Sequence, residues 1–189
     1  DKDEIRENQA ESNGHRWGKQ IFFMGIAILG IGLFWMQKDH YKAYQQWNKA
    51  QMFYNNKAYE AALEVYEPLY PLLKHKPEFL FEAAQSLSKT GQYEKANEYL
   101  ERAVLLSSDP MLYYVMAKNE QCLGEYRQAE KHLLHAIDIL PERIYPYYLL
   151  MNLYTEPSYF QPAKLKMAID SVLTKKPKVE SSAIKEMKE

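Results

Sequence analysis

The chain has 189 residues, of which 47 % are hydrophobic and 26 % are charged, so its composition is that of a folded protein rather than a disordered one. Glycine occurs 7 times, whereas tyrosine occurs 16 times and methionine 8 times, which favours helices packed through large side chains over a turn-rich β fold. From residue 41 onward 19 Lys and Arg residues balance 19 Asp and Glu residues, so the basic field that nucleic-acid binding requires is missing. Composition therefore predicts an all-α protein and no nucleic-acid partner.

The first element is a predicted membrane helix over residues 21–37, which follows a polar juxtamembrane segment over residues 1–20. Residues 21–36 contain no charge. Trp17 and Trp35 bracket this run, and 18 helical steps of about 1.5 Å between them nearly match a hydrocarbon layer of about 30 Å. We expect both indoles to lie at the membrane interfaces. Because the chain begins at Asp1 rather than at a methionine, we expect it to be a piece of a longer protein.

Two other interpretations of residues 21–36 are weighed against a membrane span. A cleaved signal peptide conflicts with the twenty polar residues before the run and with Gln37-Lys38-Asp39 after it, which offers no small-residue cleavage site. A buried helix of a soluble domain must explain a surface that is apolar all round. Positive charges at the two ends are nearly balanced, so charge does not orient the helix. No Gly or Pro occurs between Leu33 and Lys57, so the helix is expected to continue into the next element.

A repeat follows, marked by four aromatic residues at spacings of 34, 33 and 34, namely Tyr59, Tyr93, Tyr126 and Phe160. An alanine lies three residues beyond each aromatic, at Ala62, Ala96, Ala129 and Ala163. A large residue lies four positions beyond each alanine, at Tyr66, Leu100, Leu133 and Met167. Earlier in the first three units a small residue recurs, at Ala50, Ala84 and Ala117. Met151 stands at this position in the fourth unit and breaks the pattern. The pattern predicts the same helix pair four times.

These residues resemble the tetratricopeptide repeat (TPR) family, most closely at Thr-Gly-Gln-Tyr-Glu-Lys-Ala (90–96) and Leu-Gly-Glu-Tyr-Arg-Gln-Ala (123–129). In both segments the glycine is expected to adopt the left-handed backbone that ends the first helix. Together with the predicted membrane helix, the resemblance predicts an all-α fold in which one transmembrane helix is followed by a right-handed α-solenoid of about four helix pairs. The predicted TPR domain is 43–177, in units 43–76, 77–109, 110–143 and 144–177. Asp109-Pro110 has the cap and first-turn residues of a helix start.

The outer units depart from the repeat pattern. Pro68 and Pro71 fall inside the second helix of unit one, where we expect a kink or a break. Unit four lacks the turn glycine and carries Pro157 and Pro162, as suits a capping repeat. The C-terminal tail, 178–189, begins with a capping-like sequence and has good helix formers, so a last polar helix and a frayed end both fit it.

In the TPR family the first helix of each pair lines a concave face, and its inward positions are the natural partner-binding surface. These are the fifth and ninth positions of the units, here called the first-helix face: Trp47, Phe81, Tyr114 and Tyr148 with Gln51, Gln85, Lys118 and Asn152. Aromatic rings beside amides and a lysine can hold an extended peptide or stack on sugar rings. The alternative is that the aromatics only pack against neighbouring helices. A chaperone-adaptor role is disfavoured because Phe81 or Tyr114 stands where a lysine would be needed.

No residue pattern points to catalysis, a cofactor or a metal. His132 and His135 are three apart on a helix but have no evident third ligand, so we expect them on a solvated face. Cys122 is the single cysteine, and we expect an inert thiol. Glu94, Glu98 and Glu101 are expected to form the charged outer surface of a helix.

A span followed directly by such repeats, with Trp-Gly-Lys-Gln before the apolar run and Lys-Val-Glu-Ser-Ser-Ala near the end, resembles the C-terminal part of Bacteroidetes O-antigen ligase or polymerase proteins. The resemblance implies a bacterial inner-membrane protein with periplasmic repeats that bind protein partners or a glycan during surface-polysaccharide assembly. The glycan-transferring loops of that family lie upstream, so no catalytic residue carries over. The alternative is a single-pass membrane scaffold for protein assembly with no enzymatic parent.

Overall fold

The computed structural model describes the backbone of residues 2–176 and 181–188, and the side chains of residues 22–34, 38–176 and 181–188. Over these residues the chain is helical and contains no strand. The chain divides into two compact units, Asp1–Gln45 and Gln46–Glu189. The helices are α1 (Lys2–Asn55), α2 (Tyr59–Leu73), α3 (Pro77–Lys89), α4 (Tyr93–Val104), α5 (Pro110–Cys122), α6 (Tyr126–Ile139), α7 (Tyr145–Tyr154), α8 (Pro162–Thr174) and α9 (Ser182–Lys188).

The first unit consists of most of α1, which is one unbroken helix from Lys2 to Asn55 and confirms the expected continuity. The side chains of residues 22–34 are all exposed. By length and composition this helix is able to cross a membrane. The interface positions predicted for Trp17 and Trp35 concern side chains that lie outside the described residues.

The second unit is a row of helix pairs. Here the C-terminal part of α1 and the helices α3, α5 and α7 are called the first helices, and α2, α4, α6 and α8 the second helices. Each helix from α2 to α8 packs chiefly on its neighbours in sequence, and α3 also packs on α5 and α5 on α7. The second helices pack less closely on one another than the first helices do. The first helices therefore form the inner side of an α-solenoid.

The repeat residues form the core in the first three units. Ala62, Ala96 and Ala129 are fully buried, and so are the small residues Ala50 and Ala84. Small side chains at these positions let paired helices approach closely. The large residues four positions beyond Ala62, Ala96 and Ala129 fill the space between pairs. The predicted core pattern is confirmed for these units.

The turns within the pairs follow the predicted backbone geometry. Gly91 and Gly124 have φ angles of 80° and 77°, as expected. The equivalent position in unit one is Lys57, which adopts φ 60° without being a glycine. The Asp109 side chain accepts a hydrogen bond from the Met111 backbone N–H at 2.9 Å, so the predicted helix start is also confirmed.

The prediction of a break in the second helix of unit one is wrong, and the kink stays a prediction. Helix α2 continues through both Pro68 and Pro71. Each proline removes the donor for the carbonyl four residues earlier, on Glu64 and Glu67. All four of these residues are exposed, so water can bond to the two carbonyls. The missing donors therefore fall on a face of the helix that is open to solvent.

The predicted register fails in unit four. Phe160 has an extended backbone after a 3₁₀ turn over Pro157–Tyr159, and α8 begins only at Pro162. The repeat positions of α8 are not in the core, since Ala163 is exposed and Met167 is 70 % exposed. The residues of α8 that are buried instead are Ala168 and Val172.

Candidate functional site

The eight residues of the first-helix face lie on the first helices, two on each of α1, α3, α5 and α7. Their burial differs. Lys118 is exposed, Tyr114 is buried, and the others are half-buried, namely Trp47, Gln51, Phe81, Gln85, Tyr148 and Asn152. A half-buried ring or amide is held in place by its neighbours and keeps an edge available for contact.

Glu82 of α3 joins three helices beside this face. Its carboxylate accepts hydrogen bonds from Trp47 Nε1 at 2.7 Å, from Gln51 Nε2 at 2.8 Å and from the Tyr66 hydroxyl at 3.1 Å. Burial, followed by the charge of Glu82, raises the pKa of Tyr66, so the hydroxyl remains a donor. The indole and amide that the sequence assigned to a partner are thereby fixed in orientation by this carboxylate.

Sequence reasoning missed Glu82, although a signal was present. Glu82 is the sixth residue of unit two, and the sixth residues of units three and four are Val115 and Leu149. Unit one has Asn48 at this position. A carboxylate at a position that is apolar in the two following units needs donors from nearby elements, because burying an unpaired charge is costly. The donors come from α1 and α2, which only the tertiary structure brings together.

Gln85 is also engaged within the protein, since its Oε1 accepts a hydrogen bond from the Tyr54 hydroxyl of α1. Burial, followed by the Glu82 charge, raises the pKa of Tyr54, which keeps that donor protonated. Trp47 additionally packs edge-on against Phe79, with ring centroids 5.7 Å apart. The N-terminal half of the first-helix face is therefore rigid before any partner arrives.

Tyr114 behaves as the packing alternative describes. It is 4 % exposed and packs edge-on against Tyr145, with ring centroids 5.2 Å apart. Its hydroxyl is the one buried side-chain polar atom among the described residues that lacks a hydrogen-bond partner. Burial raises the pKa of Tyr114, and the nearby charge of Arg143 opposes that rise. Tyr114 is thus part of the core and contributes little surface to the first-helix face.

The C-terminal half of the face is more open. Lys118 is exposed, so its charged end lies in water rather than in the core. Tyr148 is half-buried and packs against the core cluster formed by α5 to α8. Asn152 is half-buried, and its backbone carbonyl accepts a hydrogen bond from Thr155 Oγ1 at 2.7 Å. A cation, a ring and an amide therefore line this half.

A second carboxylate cluster lies away from this face. Glu130 of α6 accepts hydrogen bonds from the hydroxyls of Tyr154 and Tyr159 at 2.6 and 2.7 Å, and from Lys164 Nζ at 2.7 Å. Burial acts to raise the pKa of Glu130, but the bond from Lys164 and those from the two tyrosines outweigh it and lower the pKa below the usual value. Tyr159 also stacks on Tyr126, with ring centroids 5.6 Å apart. This cluster fastens the irregular turn of unit four to α6.

Two histidines among the remaining polar candidates contact other side chains of the repeat region. His132 is half-buried, with Nδ1 2.9 Å from the carboxylate of the buried Glu120, so the solvated-face interpretation is wrong for it. His135 is exposed and packs edge-on against Tyr113. Within the part of the chain that the structure describes, no three His, Cys, Asp or Glu side chains are grouped to hold a metal. The outer carboxylates Glu94, Glu98 and Glu101 are exposed, as predicted.

Comparison with known proteins supports the repeat. The family model for anaphase-promoting complex, cyclosome, subunit 3 (ANAPC3) matches residues 55–136. The chain carries a TPR-type repeat region. No curated protein matches it in sequence.

Several solved structures share the fold of this region. MamA from Desulfovibrio magneticus RS-1 has 17 % identity and a TM-score of 0.61, with 77 % of this chain and 75 % of that chain covered. The chaperone SycD of Yersinia enterocolitica, in complex with a peptide of the translocator YopD, has 19 % identity and a TM-score of 0.52 over 66 % of this chain and 90 % of its own. PcrH with the chaperone-binding region of PopD has 16 % identity and a TM-score of 0.51, over 67 % and 90 %.

Proposed function

We propose that this chain is a membrane-anchored interaction module that binds an extended segment of a protein partner along the first-helix face. The observation that carries the proposal is the set of half-buried aromatics, Trp47, Phe81 and Tyr148, beside the exposed Lys118. Aromatic rings are rich in contact area at low entropic cost, and lysine adds charge at the rim. SycD and PcrH have the same fold and were solved with peptide segments of their partners.

The fixed geometry of the face favours binding further. Because Glu82 and Gln85 already hold Trp47, Gln51 and Tyr54 in place, little side-chain freedom remains to be lost on association. A surface that is ordered in advance gives more of its contact energy to affinity. Nothing in this arrangement supplies a nucleophile or a paired acid and base, so the proposed role is binding.

The test is site-specific photo-crosslinking in cells, with a photoreactive amino acid in place of Lys118. The matched control has the same residue in place of Glu98, which is exposed on α4, a second helix. We expect crosslinked protein at position 118 and not at position 98. Equal crosslinking at both positions, or none at 118, contradicts the proposal, and a carbohydrate adduct at 118 would replace the protein partner with a glycan.

For the parent protein we propose an O-antigen ligase or polymerase of the inner membrane, with periplasmic repeats. The support is the resemblance just before the apolar run and near the end of the chain, together with the exposed apolar side chains of residues 22–34. Sequencing the coding DNA upstream of the Asp1 codon tests the parent. Ten or so further apolar spans are expected, whereas a nearby start codon with no other span leaves the single-pass scaffold.

The periplasmic location can be tested with the chain's own cysteine. Cys122 is the single cysteine and is exposed, so a membrane-impermeant maleimide reaches it only from the compartment that holds the repeats. We expect labelling in intact spheroplasts, with a Cys122→Ser variant as the control for background. Labelling that requires lysis places the repeats in the cytoplasm and contradicts the proposed location.

A further inference from the structure

An apolar groove lies between the α6–α7 loop and α9, apart from the first-helix positions considered above. Its volume is about 640 Å³, within the range of about 300 to 1,000 Å³ that is common for small-molecule sites. Its walls are largely aliphatic and aromatic, with Leu140, Ile144 and Tyr145 on one side and Ile184 and Met187 of α9 on the other. Water gains little from such walls, so an apolar ligand is favoured.

Two hydrogen-bond donors near this groove have no side-chain acceptor among the described residues. Arg143 is exposed and lines the groove, and among the described residues its guanidinium has no carboxylate within ion-pair distance. Tyr114, whose buried hydroxyl has no partner, packs its ring against Tyr145, and Tyr145 lines the groove. Arg143 lies close enough to Tyr114 to oppose the rise of its pKa. An unpaired buried hydroxyl is costly and calls for an explanation.

We propose that this groove binds an aliphatic carboxylate of the long-chain fatty acid class. The alkyl chain lies between the α6–α7 loop and α9, and the carboxylate accepts a hydrogen bond from Arg143. Ser181 also lines the groove. Its Oγ accepts a hydrogen bond from the Ile184 backbone N–H, which leaves the hydroxyl proton available to donate. Glu142 is exposed at the same edge and repels an anion, which makes the guanidinium essential for retention.

An alkyl chain fits this groove better than a peptide does. A peptide segment would bring backbone N–H and C=O groups against Leu140, Ile144 and Met187, which offer no side-chain hydrogen bonds to them. An alkyl chain carries no such groups and needs a single polar contact at one end. Arg143 is the one cationic side chain among the described residues that line the groove, and it supplies that contact.

The test uses the full chain in lipid nanodiscs and a palmitic acid that carries a diazirine at its terminal carbon. The matched ligand is its methyl ester, which has the same alkyl chain and no charge. After irradiation at mildly alkaline pH and digestion, mass spectrometry compares labelling of residues 140–145 and 181–188 with labelling of residues 22–34. The second region reports probe dissolved in the lipid and serves as the internal reference.

We expect the acid to label the groove peptides about tenfold more than the ester, as one charge-assisted contact predicts. Arg143→Gln should reduce labelling by the acid to the level of the ester, while Arg127→Gln, at another exposed arginine, should leave it unchanged. Both substitutions are at exposed positions, so both variants should fold. Equal labelling by acid and ester, or an unchanged Arg143→Gln variant, overturns the proposal. Labelling confined to residues 22–34 also overturns it.

Discussion

At the scale of single residues, two carboxylates connect helices that are distant in sequence. Glu82 binds donors from α1 and α2, and Glu130 binds donors from α7, from the 3₁₀ turn and from α8. In each case a charged acceptor satisfies the hydroxyl of a buried tyrosine, Tyr66 for Glu82 and Tyr154 for Glu130. Hydrogen bonds to a charged group are stronger than neutral ones, and an unsatisfied donor is costly. Both sites therefore contribute to stability as well as to geometry.

Replacing Glu82 by alanine should lower the free energy of unfolding by about 1 to 3 kcal/mol, because the fully buried Tyr66 hydroxyl loses its acceptor. Glu82→Gln keeps one acceptor oxygen and should cost less. Urea unfolding followed by circular dichroism measures both. Glu78→Ala, at an exposed site on the same helix, is the control. A Glu82→Ala variant as stable as the control would show that water replaces the carboxylate.

Glu130 should make stability sensitive to acid. Its folded-state pKa lies below the usual value of 4.5, so its contribution is present above that pH and is lost as the pH falls below it through the folded-state pKa. The effect is modest because Lys164, its cationic partner, is about half exposed and screened by water. Thermal unfolding over acidic pH should show a shallower loss of stability for Glu130→Gln than for the unsubstituted chain. Glu98→Gln should retain the original slope, and an unchanged slope in Glu130→Gln contradicts the assignment.

At the scale of the elements, left-handed residues end the first helices of units one to three. Gly91 and Gly124 take this conformation without strain, and Lys57 takes it with a Cβ present. The cost for an L-residue is about 1 to 2 kcal/mol. Unit four replaces the turn by a 3₁₀ segment, which changes where its second helix begins.

Exchanging the residues at two of these turns should move stability in opposite directions. Lys57→Gly should raise the free energy of unfolding by about 0.5 to 1 kcal/mol, since it removes the strain. Gly124→Lys should lower it by about 1 to 2 kcal/mol. No atom lies within 4 Å of a Cβ built at Gly124, so only the backbone is affected. Urea unfolding is the measurement, and changes of the same sign in both variants would contradict the backbone explanation.

The shifted register of unit four gives a direct comparison. Leu100 and Met167 occupy the same repeat position, but Leu100 is fully buried and Met167 is mostly exposed. Leu100→Ala should therefore cost about 2 to 5 kcal/mol through a cavity, and Met167→Ala less than about 0.5 kcal/mol. Chemical denaturation of the two variants tests this. If Met167→Ala lowered the free energy of unfolding as much as Leu100→Ala does, Met167 would be buried, as the register predicted from the sequence requires.

At the scale of the whole molecule, an exposed apolar helix in the first unit contrasts with the packed repeats of the second. No described side chain from residue 22 to residue 34 is covered by the protein. An exposed apolar surface of that size marks an interaction site or a membrane span. The anchoring proposed for residues 21–37 therefore makes a definite prediction for the whole chain.

Placing a charge in the run should release the chain from the membrane. Leu29→Arg puts a cation near the centre of the span, where insertion costs about 2.5 to 3.5 kcal/mol. The control is Leu105→Arg, at a leucine that is 83 % exposed after α4. The variants are made in the 189-residue chain expressed by itself, without the further spans of the proposed parent, and alkaline carbonate extraction of membranes measures the fraction of the chain retained. We expect partial release for Leu29→Arg alone, and equal retention of both variants would contradict a membrane span.

The sequence predicted much of the fold because the repeat pattern is local. Spacings of 33 and 34 residues fixed the helix pairs, and the glycines at 91 and 124 fixed their turns. It predicted less of the candidate site. The first-helix positions followed from the register, but burial removed Tyr114 from the accessible surface, and Glu82 was not anticipated. Whether an inward aromatic is open or covered depends on the neighbouring helices, which periodicity does not describe.

The amino-acid sequence by itself determined that this chain is helical, repetitive and balanced in charge, with one apolar run able to form a span. These properties arise from composition and from residues within one helix pair. Only the tertiary structure decided the phase of α8, the continuity of α2 through its prolines and the pairing of Glu82 and Glu130. Each of these depends on where water reaches the backbone or on which donors another helix brings near, and such conditions exist only after the helices have packed.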